Sequence, residues 1–149
     1  MKCIWTALVL GICGLSMYAA EPQRLQLQGQ VICIPEEMNK LYKTDLPTGH
    51  AHLYGLRATN GTIYTLLRTK FSEAIYLDER LRQKQLLIAG MLLPQTQALE
   101  VKSIKSVRDG VVHDLFYYCE ICDIEAVSPE PCSCCQAPVV LTEKPLRSK

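Results

Sequence analysis

Residues 84–104 read KQLLIAGMLLPQTQALEVKSI, and this stretch decides the fold class. QLLIAGMLLP is a short apolar run closed by Pro94, which reads as a buried strand. From residue 98 onward, Leu99, Val101, Ile104 and Val107 alternate with Glu100, Lys102 and Lys105, with one slip of register. A period of two marks a strand with one face on the core and one on solvent. Two such strands joined by a few turn residues form an antiparallel pair, so the expected class is mainly β.

Working outward, the pattern repeats. RLQLQGQVICI (24–34) alternates in its first half and becomes apolar later, a strand entering a core. Gly29 inside it marks a bulge or a bend. PEEMNKLYK suits a short helix, with Pro35 at a first helical position and Glu36 and Glu37 at the positive end of its dipole. Asn60-Gly61 and Asp109-Gly110 lie between β-branched and aromatic runs, and both dipeptides accept the positive φ angles of a type I′ hairpin turn. Between the hairpins, KFSEAIYLDERLRQK has Ser72 as a candidate N-cap and apolar residues at Ala74, Leu77 and Leu81. That spacing predicts a short helix, although AIYL could equally end a strand. The count is six strands with one or two short helices, and no internal repeat is visible.

This order of elements resembles an oligonucleotide/oligosaccharide-binding (OB) type barrel over roughly residues 24–118. In particular, KQLLIAGMLLP followed by ALEVKSI looks like the third and fourth strands of compact exported members of that fold. The resemblance implies a small closed antiparallel barrel and no particular ligand.

The chain has 149 residues, 48% of them hydrophobic, enough for one domain with a real core and a small appendage. Lys and Arg number 16 against 15 Asp and Glu, a net charge of +1. So balanced a chain carries no electrostatic footprint for a polyanion, which makes nucleic acid a poor candidate partner. The first twenty residues, MKCIWTALVLGICGLSMYAA, place Lys2 before an apolar run and small residues Ala19 and Ala20 after it. This is the pattern of a secretory signal peptide, and it predicts export to a periplasmic or extracellular space. An uncleaved N-terminal membrane anchor is the alternative. Ile12 before Cys13 is too bulky for a lipoprotein signal.

Five of the six cysteines outside the leader crowd into 119–135: Cys119, Cys122, Cys132, Cys134 and Cys135. Cys119 and Cys122 form one C-x2-C pair, and Cys132 and Cys135 form another. Each pair lets a tight turn aim two thiolates at one centre, and two pairs complete the tetrahedron that zinc prefers. Four thiolates also suit iron or a soft ion such as Cu(I). Disulfides, or thiol-disulfide chemistry, are the rival reading in an oxidising compartment. No thioredoxin-like βαβ pattern surrounds either pair, and Glu120 and Asp123 would raise the thiol pKa at the first. Cys134 could substitute as a ligand, pair with Cys33, or stand free. Cys33 lies in the apolar VICI run and reads as core.

The cysteine-rich stretch, with Tyr118 and Cys119 at its start, Pro129 to Cys132 as its turn, the Cys132–Cys135 knuckle, and 138–141 as a closing apolar strand, resembles the short heavy-metal-binding zinc-ribbon module of copper-efflux and related exported proteins. Cys122 stands where that module has His, and Gln136-Ala137 replace its usual Gly-Met. The missing thioether shifts the implied role from copper handling towards a closed structural zinc site.

His50 and His52 form a His-x-His whose rings share a side if the chain is extended, a second candidate for copper or zinc without a visible third ligand. His113, alone on an alternating strand, reads as structural. Tyr54, Tyr64, Tyr76, Tyr117 and Tyr118 read as core or rim, or as a barrel face that stacks a small ligand or protein partner. No nucleophile elbow, P-loop or dinucleotide fingerprint occurs. The expected organisation is a signal peptide over 1–20, an OB-like barrel over 21–117, a four-cysteine ribbon over 118–142 and a polar tail over 143–149. The expected function is an exported, non-enzymatic binding or scaffold protein. The alternatives are an envelope metal carrier or sensor and a thiol-disulfide redox protein.

Overall fold

The structure is a computed structural model that describes residues 21–146; the leader expected over 1–20 and residues 147–149 lie outside the described residues. Strand β1 spans Gln23–Cys33, and helix α1 (Ile34–Tyr42) follows it directly. Next come β2 (Tyr54–Ala58), β3 (Ile63–Leu66), α2 (Glu73–Leu77), α3 (Glu79–Arg82), β4 (Gln85–Leu92) and β5 (Ala98–Arg108). The chain continues through β6 (Val111–Cys119), β7 (Ile124–Ala126) and β8 (Val140–Pro145). The protein is mainly β, and no helix among the described residues is long and apolar enough to cross a membrane.

The strands run β3-β2-β1-β4-β5-β6-β7, with β8 also paired to β6. All these pairings are antiparallel except one. β3 runs parallel to β5, with Thr65 opposite Ala98 and Leu66 opposite Leu99. The hydrogen-bonded path β1-β2-β3-β5-β4 therefore returns to β1. β1 serves both neighbours, pairing with β4 over residues 23–30 and with β2 over residues 29–33, and Gly29 lies opposite both Ala58 and Leu86. The pairing of β1 is continuous through Gly29, where the sequence suggested a bulge or a bend, and the Arg57 backbone comes close there. Leu56, Leu66, Leu86, Ile88, Leu99 and Val101 are fully buried inside this ring, joined by Ile75 and Leu81 from α2 and α3. Each such side chain contributes roughly 1.5–3 kcal/mol of burial.

Residues 85–92 and 98–108 stand fourth and fifth in chain order, after both arms of the Asn60-Gly61 hairpin, and β7 and β8 extend the sheet beyond the six strands expected. The slip of register in β5 is a β-bulge. Ala89 faces Ser103 and Gly90 faces Val101, so Lys102 is skipped. Leu99 and Val101 point inward before the bulge, and after it Ser106, not Val107, is buried.

The two hairpins differ. At Asp109-Gly110 both residues have positive φ (52° and 76°), as a type I′ turn requires. At the first hairpin only Gly61 does (φ 85°), and Ala58 pairs with Thr62 across a three-residue loop. Asn60 stays at negative φ and accepts the Thr62 N–H through its Oδ1 at 3.0 Å. Among the described residues three short helices replace the expected one or two. The 70–84 segment divides at Asp78, whose extended backbone (φ −116°, ψ 106°) ends α2 and caps α3. At the C-terminus, β8 runs on through Glu143, Lys144 and Pro145, so that part of the expected polar tail is strand paired to β6.

Candidate metal centre

Cys119 is the last residue of β6, and Cys122 lies in the tight turn that leads to β7. The turn closes with the Asp123 N–H donating to the Cys119 carbonyl at 2.9 Å, with Asp123 at φ 56°. The second pair repeats this geometry. The Gln136 N–H donates to the Cys132 carbonyl at 2.8 Å, with Gln136 at φ 59°. In both knuckles the residue after the second cysteine takes the left-handed conformation and bonds back four residues. Two C-x2-C motifs thus fold as two copies of one turn. The first is clasped by the Tyr118 hydroxyl, which donates to the Asp123 carboxylate.

The two knuckles face each other. Cys119 Sγ lies 3.5 Å from Cys135 Sγ, and all four sulfurs of Cys119, Cys122, Cys132 and Cys135 lie within 4.8 Å of one another. A tetrahedron with metal–ligand bonds of about 2.0–2.3 Å has edges of about 3.3–3.8 Å, so this set fits a four-coordinate ion. Cys119 and Cys132 are buried, and Cys135 is exposed. All six described cysteines stand unpaired, including Cys33 and Cys134, for which a mutual disulfide was one expectation.

The electrostatics set the four thiols apart. Backbone N–H groups of Cys135 and Cys134 face the Cys132 sulfur and hold its thiol well below the ordinary value. At Cys119 the Cys122 N–H acts in the same sense, but burial and the thiols of Cys132 and Cys135 outweigh it and raise the pKa. Cys122 is raised further, by the thiols of Cys135 and Cys134 and then by burial. The direction expected at Cys119 holds, but its cause is burial and neighbouring sulfur, not Glu120 and Asp123. A buried thiol with a raised pKa is a poor attacking group, and crowded thiols are relieved by a cation that takes them as thiolates.

His50 and His52 sit in the segment between α1 and β2, beside Cys33 and Glu36. The sequence showed the two imidazoles but not the thiol or carboxylate that meet them. His113 is buried, with its Nδ1 2.9 Å from the Val111 carbonyl oxygen, a structural role as expected. Tyr117 is fully buried and Tyr54 nearly so, which makes them core residues. The chain matches no family model, no curated protein and no solved structure at a significant level.

Proposed function

We propose that this chain is an exported, non-enzymatic binding or scaffold protein: an OB-like barrel carrying a zinc ribbon at its C-terminus. The observation that carries the reading is the pair of matching knuckles that bring four thiols together. Four protein ligands complete the shell of zinc and leave no open position for a substrate, which makes the ion structural. The returning path β1-β2-β3-β5-β4, with a helical segment between β3 and β4, supports the barrel. The leader-like first twenty residues support export. The protein purified without added metal is expected to carry close to one equivalent of zinc held by reduced cysteines. Less than about half an equivalent, with the cysteines oxidised, would overturn the reading.

One observation favours a second reading, an envelope carrier of a soft ion such as Cu(I). Cys135 is exposed and Cys134, also exposed, sits beside Cys122, so a spare thiol stands where an incoming ion would arrive. A carrier exchanges its ion with a competing thiol in minutes, whereas a closed structural site does not. Isotope exchange of bound metal separates the two.

A further inference from the structure

Four side chains from three parts of the chain converge at the far end of β1. Cys33 closes β1 and stands at the N-cap of α1, with its thiol making no capping bond. Glu36 is in the first turn of α1. His50 and His52 come from the connection to β2, which the Ile34 N–H to Leu53 carbonyl bond (2.8 Å) ties to the start of the helix. Gly49, just before His50, is left-handed (φ 73°).

We propose that Cys33, Glu36, His50 and His52 form a second metal site, which binds a zinc-class divalent cation. The argument rests on four distances that close a ring. Cys33 Sγ lies 3.8 Å from His50 Nε2 and 3.4 Å from His52 Nδ1. Glu36 Oε1 lies 3.5 Å from the same His50 Nε2 and 3.7 Å from the same His52 Nδ1. All four match the edge of about 3.3–3.8 Å that a tetrahedral ion requires, and the two remaining edges lie within 4.8 Å. Hydrogen bonding alone asks only for pairs; it gives no reason for one sulfur and one oxygen each to face the same two nitrogens. The rings are also held. His52 stacks on Tyr54 with centroids 5.8 Å apart and planes 4° from parallel, and His50 packs edge-on against His52 at 5.1 Å. Tyr54 is in turn fixed by Tyr76 and by the Arg82 guanidinium over its face.

The donor set names the ion class. Two imidazole nitrogens, a thiolate and a carboxylate are the borderline mixture that zinc accepts, and are too hard for Cu(I) and too soft for calcium or magnesium. The side chains of His52 and Glu36 are 54% and 45% exposed, and an open groove of about 300 Å³ runs beside them. The ion is therefore readily exchanged, in contrast to the ribbon.

Titrating the reduced, chelator-stripped full chain with Co2+ tests this. The wild type is expected to take up about two equivalents, one with the strong thiolate charge-transfer bands of a four-sulfur site and one with weaker bands from a single thiolate. The His50→Ala/His52→Ala double variant keeps the four-sulfur spectrum and takes up about one equivalent. Cys33→Ser, which keeps the two imidazoles and the carboxylate, keeps the four-sulfur spectrum and loses the weaker single-thiolate bands. Cys119→Ser/Cys132→Ser loses the strong bands and keeps the weaker ones, so failure of the ribbon and failure of this site are distinguishable. Absence of the weaker single-thiolate bands from the wild type, or their persistence unchanged in both the histidine and the Cys33 variants, would overturn the proposal, whereas loss of the strong bands alone would count against the ribbon.

Discussion

A β-carbon built on Gly29 would lie 2.1 Å from the Arg57 carbonyl oxygen, and that oxygen is backbone, which cannot swing aside. At Gly29 β1 is paired with β4 and β2 at once, and the atoms a β-carbon would meet all belong to β2. Gly29→Ala must push β2 away from β1, an overpacking cost of about 1–3 kcal/mol. Urea unfolding is expected to show a lowered midpoint of that size, and an unchanged midpoint would mean that β2 has slack at this point. Gly29 was visible in the sequence because a glycine weakens the middle of an alternating strand unless a bend or a close backbone approach requires it. The knuckle cysteines were visible because each turn is four residues long and carries its own signal. Cys33 was read as core, and it does pack against the core, but its neighbours His50 and His52 lie 17 and 19 residues away and nothing local announces them.

Among the elements, the helical segment α2–α3 and the strand β6 are joined through one carboxylate. Asp78 accepts the Arg80 N–H at 3.0 Å as the cap of α3, pairs with the Arg80 guanidinium at 2.6 Å, and accepts the Tyr117 hydroxyl at 2.8 Å. The Arg80 guanidinium above all, helped by the Tyr117 hydroxyl, holds the Asp78 carboxyl at about 2. The depressed value means that this contribution is complete above pH about 4 and fades as the pH falls towards about 2. It amounts to roughly 2 kcal/mol. Asp78→Asn is expected to lose that stability at neutral pH and to flatten the loss of stability between pH 4 and 2, as read by thermal unfolding across the range. An Asn variant with the wild-type acid slope would place the titration elsewhere. None of this was legible beforehand. Asp78 and Tyr117 are 39 residues apart, and the periodicity of 70–84 showed one helix where a capping aspartate makes two. β8 was underread for a related reason. Thr142, Glu143 and Lys144 carry no apolar alternation, yet they pair with Phe116, Leu115 and Asp114, and the Lys84 ammonium meets Glu143 at 2.7 Å.

At the scale of the molecule, β6 carries both the core and the ligands. Tyr117 enters the hydrophobic core and Cys119, two residues on, enters the sulfur cluster. On the proposed reading, losing the metal unravels the four-cysteine segment alone, or the β-sheet with it, and the packing decides between the two. Tyr117 is held independently of the ribbon, by full burial and by Asp78, and Leu115 and Leu141 pack on the same core. β6 and β8 therefore remain paired from Pro145 to about Leu141 when the cluster is empty. The stretch 119–139 is anchored far less: Ala126 and Val139 touch the core, and β7 pairs with β6 over three residues. Its buried residues are only Cys119, Ser128 and Cys132, too little apolar surface to offset an ordering cost of about 1–2 kcal/mol per residue. Removing the metal with a strong chelator under reducing conditions is thus expected to raise amide exchange across 119–139. The amides of Leu86, Ile88 and Leu99, which open only with the whole fold, are expected to keep their protection. A ribbon that stayed protected after stripping would show that its order does not depend on an ion. Core amides that lost protection in step with it would show that the ring and the ribbon fold as one unit, with the metal stabilising both.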